Sequence, residues 1–161
     1  MSVPQPRRPA ADAAADTLAQ RVADSMWPHD RAAQLLGIHV VAVGAGRARL
    51  TMEVRDDMNN GHGTCHGGMI FTLADCAFAY ACNSHNKHTV ASACHIDFLA
   101  PARVGDVLEA EAVEQSLTGR TGVYDITVRN QGGQAIALFR GKSHRTHGEI
   151  VPGPAGAGCA N

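Results

Sequence analysis

One stretch of the chain limits the possible folds more than any other. Residues 67–82, GGMIFTLADCAFAYAC, are apolar on nearly every face of a helix. A helix that is hydrophobic all round has to be buried. At about 1.5 Å per residue it is roughly 24 Å long, which is enough to cross a sheet. The stretch therefore predicts a long central helix that the rest of the domain encloses.

The segments before and after this helix show the period of two that is typical of strands. In residues 47–54, RARLTMEV, apolar side chains alternate with charged or hydroxyl side chains. The same pattern in residues 89–99 predicts one side made of Val90, Cys94, Ile96 and Phe98. Strands are predicted at 37–43, 47–54, 89–99, 106–115, 122–129 and 134–142. A strand pair, one buried helix and a run of antiparallel strands indicate an α+β fold, with a curved antiparallel sheet wrapped around one long central helix.

The length and the ends of the chain indicate one domain. A chain of 161 residues suits a single compact unit. Residues 12–36 have the four-residue apolar spacing of one or two short helices. Residues 1–11 are predicted to be a disordered tail and residues 149–161 a flexible tail, because both are rich in proline, alanine or glycine. The predicted domain is therefore 12–148.

Composition and charge exclude several classes of protein. The formal net charge is -1 and the pI is about 6.7, so no basic surface is available for a nucleic-acid backbone. No apolar run approaches the roughly 18 residues that span a membrane, and no apolar region follows Arg7 and Arg8 as a secretory signal requires. The five cysteines are expected to be reduced. We therefore expect a cytoplasmic protein that binds neither nucleic acid nor membrane.

A single acidic residue, Asp75, lies inside the apolar helix. Acids are rarely buried unless they are paired or functional. We expect burial to raise the pKa of Asp75, and carboxylates with shifted pKa values in apolar clefts are candidates for catalysis. In the alternative interpretation, Asp75 faces solvent or pairs with a basic residue elsewhere in the chain.

The loop before the helix, residues 56–68, is rich in glycine and asparagine and leads directly into the helix N-terminus. The free N–H groups and the dipole at such a terminus stabilise negative charge. Gly67 has no Cβ, so a substrate carbonyl can approach its N–H closely, as an oxyanion hole requires. The alternative interpretation is a connector without a ligand.

The spacing of these two candidates predicts a dimer. Asp75 follows Gly67 by eight residues, which is roughly 12 Å along one helix. One carbonyl carbon cannot contact both groups of the same helix. Two antiparallel helices across a two-fold axis would bring each Gly67 to the Asp75 of the partner chain, which gives two shared active sites.

Four segments closely resemble the phenylacetic acid degradation (PaaI-type) thioesterases. They are NGHGTCHGGMIFTLADCAFAYACNS, VASACHIDFLAP, TGVYDITVRNQ and ALFRGKSHR. The resemblance runs from about Leu36 to about Arg145 and implies the hotdog fold. It also implies hydrolysis of acyl-CoA thioesters, above all phenylacetyl- and hydroxyphenylacetyl-CoA, by dimers that pair into tetramers without a metal or other cofactor.

The resemblance assigns roles to four residues. Asp75 matches the catalytic carboxylate of the family, and Gly67 matches the glycine whose N–H polarises the thioester carbonyl. His66 matches a histidine that orients the loop or assists at the carbonyl. Asn60 matches an asparagine that positions the carbonyl or the attacking water. Whether Asp75 acts as a general base or as a nucleophile is left open.

The nucleotide of CoA requires positive charge near the mouth of the site. The candidates are Lys142 and Arg145, with Arg103 or Arg120 as further possibilities. Each of these can also be a solvated basic residue at the end of a strand.

Three other functions compete with thioester hydrolysis. Closely spaced His62, Cys65 and His66 resemble metal ligands, but no second ligand pair has a suitable spacing. A non-catalytic acyl-CoA sensor would keep the pocket but would not need Asp75. A hotdog dehydratase would use a histidine and an acid on a β-hydroxyacyl substrate, although the loop sequence fits the thioesterase branch better.

Overall fold

The computed structural model describes residues 10–152. The helices are α1 (Ala10–Met26), α2 (Arg31–Leu35) and α3 (Gly67–Asn83), with short 3-10 turns at Trp27–His29 and Asp56–Met58. The strands are β1 (His39–Gly44), β2 (Arg47–Glu53), β3 (Thr89–Phe98), β4 (Val107–Thr118), β5 (Thr121–Arg129) and β6 (Ala135–Arg145). Every predicted helix and strand is present, and β4 and β6 continue three residues beyond their predicted ends.

The strands form one sheet in the order β1-β2-β4-β5-β6-β3. Every neighbouring pair is antiparallel. Helix α3 packs across one face of this sheet and contacts all of its strands. The predicted α+β class, with an antiparallel sheet around one long helix as in the hotdog fold, is confirmed.

Small side chains let α3 lie close to the sheet. On the inner face of β4, Ala110 and Ala112 are fully buried beneath the helix. On β6, a Cβ added at Gly141 would lie 2.8 Å from the ring of Phe78, so only glycine leaves room for that ring. The Phe78 ring also meets Tyr124, with the ring centroids 5.5 Å apart. These close contacts fix the position of α3 on the sheet and so the direction of its N-terminus.

A β-bulge in β3 interrupts the alternation of inward and outward side chains that was predicted for that strand. The register against β6 shifts between Ala91 and Ala93. The extra residue turns Val90 to the outer face, where it is 53% exposed. Cys94 and Ile96 face inward, as predicted, and are half-buried. The prediction that Val90 shares their side was therefore wrong, because a strict period of two does not survive an inserted residue.

One stripe of α3 stays open on the side away from the sheet. Gly68 is exposed, and Thr72, Asp75 and Ala79 are only partly buried. Their spacing of four, three and four residues places them on one face of the helix. The prediction that α3 is enclosed on every side was therefore wrong for the single chain, because this stripe has nothing packed fully over it.

The chain remains packed beyond the predicted end of the domain at residue 148. The side chain of Asn86 accepts hydrogen bonds from the N–H groups of Ile150 and Val151 and donates one to the Val151 carbonyl. Val151 is 9% exposed. At the other end α1 begins at Ala10. The rest of the two predicted tails, residues 1–9 and 153–161, lies outside the described residues. No helix between residues 10 and 152 is long and apolar enough to cross a membrane.

Candidate active site

His66 forms the N-cap of α3. Its Nδ1 accepts a hydrogen bond of 3.0 Å from the Gly68 N–H, and its own N–H donates to the Met58 carbonyl at 2.8 Å. Since Nδ1 is an acceptor, the neutral ring carries its hydrogen on Nε2. The exposed ring therefore offers an N–H donor at the point where α3 begins.

The N–H of Gly67 is the free donor in this first turn. No described residue accepts a hydrogen bond from it, whereas the Gly68 N–H is occupied by His66. A Cβ added at Gly67 would lie 2.9 Å from Cζ of Phe98. Gly67 is not among the glycines with positive φ. A side chain at this position would therefore press against the Phe98 ring, while the backbone conformation itself would accept it.

Asn60 shapes the loop that precedes α3. Its Oδ1 accepts from the His62 N–H at 2.9 Å and from the Thr64 N–H at 3.2 Å. Its Nδ2 donates to Oγ1 of Thr64 at 3.0 Å. These bonds close the loop on itself and leave the second N–H of the Asn60 amide available for another acceptor.

Asn60 and Gly67 line the same open pocket, which has a volume of about 370 Å³. The remaining lining is mostly apolar and comes from the loop before α3, the first turn of α3, the end of β3 and the loop that follows β3. These residues are Thr64, Cys65, Ile70, Phe98, Leu99, Ala100, Pro101 and Ala102. A free N–H donor beside an apolar wall suits a carbonyl group that is attached to an apolar chain.

Asp75 lies on the open stripe of α3, two turns beyond Gly67. Burial raises the pKa of this carboxyl above its ordinary value, and the negative charge of Asp30 raises it further. The predicted direction of the shift is confirmed. None of the described basic residues forms an ion pair with Asp75, so the alternative in which it pairs within the chain receives no support.

The residues assigned to catalysis fall into two groups in the single chain. His66, Gly67 and Asn60 lie together at the N-terminus of α3. Asp75 is about 12 Å further along the same helix and does not line their pocket. The sequence did not indicate that Asp30 raises the pKa of Asp75, because the two acids are far apart in the chain.

The two predicted CoA-binding cations lie away from this pocket. Lys142 is exposed on the outer face of β6, opposite Ala93. Arg145 ends β6, opposite Thr89 at the start of β3. Phe98 lies at the other end of the β3–β6 strand pair, opposite Ala137, which is roughly 27 Å from Arg145 at about 3.4 Å per residue. Within one chain, neither cation meets the Gly67 pocket.

Arg103 is the cation closest in sequence to the pocket lining. It follows Ala102, which lines the pocket, and it is exposed. Its backbone N–H donates to the carboxylate of Asp106 at 2.8 Å. Arg103 is therefore next to the pocket lining along the chain, whereas Lys142 and Arg145 are on a different part of the sheet.

The histidines and cysteines do not converge on a metal site. Across residues 10–152, no group of three or more His, Cys, Asp or Glu side chains could hold a metal ion. His66 is used as a helix cap, and His85 contacts Glu114 through Nε2 at 2.7 Å. The metal-protein alternative therefore has no cluster to support it in this part of the chain.

A sequence model and a similar protein together show the family of the chain. The family described as the Thioesterase superfamily matches residues 62–137, which contain α3 and extend into β6. Together with 52% identity to an acyl-coenzyme A thioesterase, this match shows that the chain belongs to the superfamily and is a thioester hydrolase.

Similar proteins place it more closely. Acyl-coenzyme A thioesterase PaaI of Escherichia coli K12 is 52% identical over 129 residues, which are 80% of this chain and 92% of that protein. The structure of E. coli PaaI, from the phenylacetic acid degradation operon, has a TM-score of 0.82 at 49% identity and covers 83% of this chain and 97% of that chain. The resemblance to the PaaI-type thioesterases is therefore confirmed.

Two further solved structures share the fold. A mutant of the phenylacetic acid degradation protein PaaI from Thermus thermophilus is 39% identical, with a TM-score of 0.70, and covers 73% of this chain and 100% of that chain. A protein from Streptococcus mutans, solved bound to acetyl CoA, is 30% identical, with a TM-score of 0.66, and covers 68% of this chain and 88% of that chain.

Proposed function

We propose that this enzyme hydrolyses phenylacetyl-CoA or hydroxyphenylacetyl-CoA to the free acid and CoA, as a step of phenylacetate catabolism. The observation that carries the proposal is the unoccupied N–H of Gly67 at the edge of an apolar pocket. The 52% identity to an acyl-coenzyme A thioesterase of E. coli supports the same substrate class.

The Gly67 N–H stabilises the oxyanion of the tetrahedral intermediate. It stands at the N-terminus of α3, where the helix dipole favours negative charge. The Nε2–H of His66 is a second donor in the same turn, since Nδ1 is held by Gly68. The free N–H of Asn60 is a third polar group at the pocket. Together these groups orient the thioester carbonyl and stabilise the oxyanion that forms from it.

A second copy of the chain supplies the carboxylate. Asp75 is too far from the Gly67 of its own helix, and the open stripe of α3 exposes it on the side away from the sheet. Strand β3 ends the strand order, and exposed Phe98 and Leu99 stand at its end, beside the Gly67 pocket. Apolar side chains left open beside the pocket suit a symmetric contact with a second copy. The proposed assembly is a homodimer with two shared sites, and its pairing into a dimer of dimers stays a prediction.

Asp75 drives the addition of water. As a general base it takes a proton from water while the water oxygen bonds to the carbonyl carbon. The tetrahedral intermediate then collapses, the C–S bond breaks, and the CoA sulfur receives the proton. As a nucleophile, Asp75 would instead form an anhydride that water cleaves in a second step. Single-turnover hydrolysis in ¹⁸O-labelled water separates the two, since label in the Asp75 carboxylate appears only by the second route.

Basic residues at the mouth of the site hold the nucleotide of CoA. Arg103 is near the pocket of its own chain. Lys142 and Arg145 stand at other places on the sheet and act only on a pocket that the partner chain presents to them. Charge reversal at each position, followed by measurement of KM, assigns the contacts: a rise in KM at constant kcat marks a residue that binds the nucleotide.

The test of the proposed function is hydrolysis of a panel of acyl-CoA thioesters by free-thiol release, with wild type beside Asp75→Asn. The proposal expects turnover of arylacetyl thioesters by the wild type and a loss of at least about 10²-fold in kcat in the variant, with the oligomer intact. Tight binding of acyl-CoA without any turnover by the wild type would favour the sensor.

A further inference from the structure

The ring of Phe98 is the side chain that approaches Gly67 most closely. A Cβ built on Gly67 would meet its Cζ, Cε1 and Cε2 at 2.9, 3.3 and 3.4 Å. The ring therefore lies directly against Gly67 at the start of α3. Yet Phe98 is 52% exposed, although it ends a strand whose other inward residues, Cys94 and Ile96, are covered more fully. One face of a large apolar side chain is left open towards the pocket.

We propose that Phe98 is a specificity-determining residue, whose ring stacks against the aryl group of the substrate and so selects arylacetyl over straight-chain acyl groups. This inference rests on the proposed function and names the contact that gives it its acyl preference. Phe98 is not a catalytic residue in this role, because it contacts the acyl chain rather than the reacting atoms.

The pocket offers no other aromatic partner. Phe98 is the single aromatic side chain among the described residues that line it, and the other apolar lining residues are aliphatic or small. Aromatic rings attract one another in offset or edge-to-face contacts at centroid distances of about 4.5–7 Å, beyond the effect of burial alone. Within one chain, the Phe98 ring is therefore the side chain that can favour an aryl group over an alkyl chain of similar size.

The dimensions of the pocket fit an arylacetyl group. Its volume is about 370 Å³, whereas an apolar cavity of about 150 Å³ is enough to bind benzene. In an arylacetyl thioester only one methylene separates the ring from the carbonyl carbon. A carbonyl held at the Gly67 N–H consequently places the substrate ring within reach of the Phe98 ring, which lies against the same glycine.

The experiment compares kcat/KM for phenylacetyl-CoA with kcat/KM for hexanoyl-CoA. Phe98→Leu keeps an apolar side chain but removes the ring, and Phe98→Tyr keeps the ring. Val90→Leu is the matched control, because Val90 is an equally exposed apolar residue at the other end of β3. We expect Phe98→Leu to lower the ratio of the two kcat/KM values by about two- to tenfold, the size of one aromatic pair. Phe98→Tyr and Val90→Leu should leave that ratio within about twofold of the wild-type value, since neither removes an aromatic ring.

Two results would overturn the inference. In the first, Phe98→Leu lowers kcat/KM equally for both substrates, which makes Phe98 a structural support for α3. In the second, the ratio changes as much in Val90→Leu as in Phe98→Leu, which assigns the effect to the strand edge. If Phe98→Leu does not assemble, the ratio measured for Phe98→Tyr against a Phe98→Met variant decides. Failure of the proposed function gives a different result, because the wild type itself then shows no preference for phenylacetyl-CoA over hexanoyl-CoA.

Discussion

Replacement of Gly67 by alanine tests the oxyanion donor directly. The added Cβ would lie 2.9 Å from Cζ of Phe98, so either the ring or the first turn of α3 has to move. The N–H then no longer points at the position of the carbonyl oxygen. Loss of one such donor costs about 10²–10³ in kcat. Because the Phe98 ring is half exposed and can partly yield, we expect a loss of about 10- to 100-fold in kcat.

The assay is free-thiol release from phenylacetyl-CoA over a range of substrate concentrations, so that kcat and KM are separated. Gly61→Ala is the matched control, since Gly61 lies in the same loop, has no atom within 4 Å of its added Cβ and does not have a positive φ. Combining Gly67→Ala with Phe98→Leu removes the contact and should restore part of kcat.

The reasoning would be refuted by Gly67→Ala with an unchanged kcat, or by a loss in Gly61→Ala of the same size. A thermal unfolding curve recorded for each variant separates these results from misfolding. If Gly67→Ala lowers kcat but the added Phe98→Leu restores none of it, the contact between the ring and the added methyl group is not the cause.

Three further predictions concern the polar residues of the site. Because the pKa of Asp75 is raised by burial, its ionised form destabilises the fold as pH rises through that pKa, so Asp75→Asn should have a higher Tm than wild type at neutral pH and lose this advantage at acidic pH. Asp30→Asn keeps a side chain that can cap α2 but removes a negative charge, so the acid limb of the kcat/KM profile should move to lower pH; an unmoved limb would contradict this electrostatic effect. Asn60→Asp keeps the two hydrogen bonds that Oδ1 accepts but removes both N–H groups of the amide. A fall in kcat as large as that of Asn60→Ala would show that Asn60 acts through its N–H rather than through the shape of the loop.

The helix and most strands could be predicted because local pattern decides them. The apolar composition of residues 67–82 predicts a helix with the sheet packed against it, and this helix is present, although one stripe of it stays open in the single chain. Alternation in β2 gives its inner face directly. In both elements the contacts with the sheet or the helix follow the intrinsic period, so no long-range information is needed.

The sequence also indicated the candidate catalytic residues on the loop and α3, for a related reason. Their geometry depends on their spacing along one loop and one helix, and Gly67 and Asp75 are separated by a length that the helix fixes. The open stripe that contains Asp75 could not be foreseen, because an apolar composition does not say whether the sheet or a second chain covers a given face.

The distance of Lys142 and Arg145 from the Gly67 pocket within one chain could not be read from the sequence, because strand register decides it. Lys142 and Arg145 belong to a segment that resembles the family, yet antiparallel pairing with β3 carries them away from Phe98. The bulge at Ala91 and Ala93 likewise reverses the face of Val90. Strand register and β-bulges depend on contacts between segments that are distant in the chain. The local pattern of a single sequence therefore does not predict them.

The central claim is that each active site uses Gly67 of one chain and Asp75 of the other, and mixed oligomers test it most directly. Gly67→Ala and Asp75→Asn chains carrying different affinity tags are co-expressed, the doubly tagged species is purified, and thioester hydrolysis is measured. A mixed dimer has one site with both residues intact and one with neither, so we predict about half of the wild-type rate in that species. A rate no higher than the average of the two separate variants would contradict the shared site.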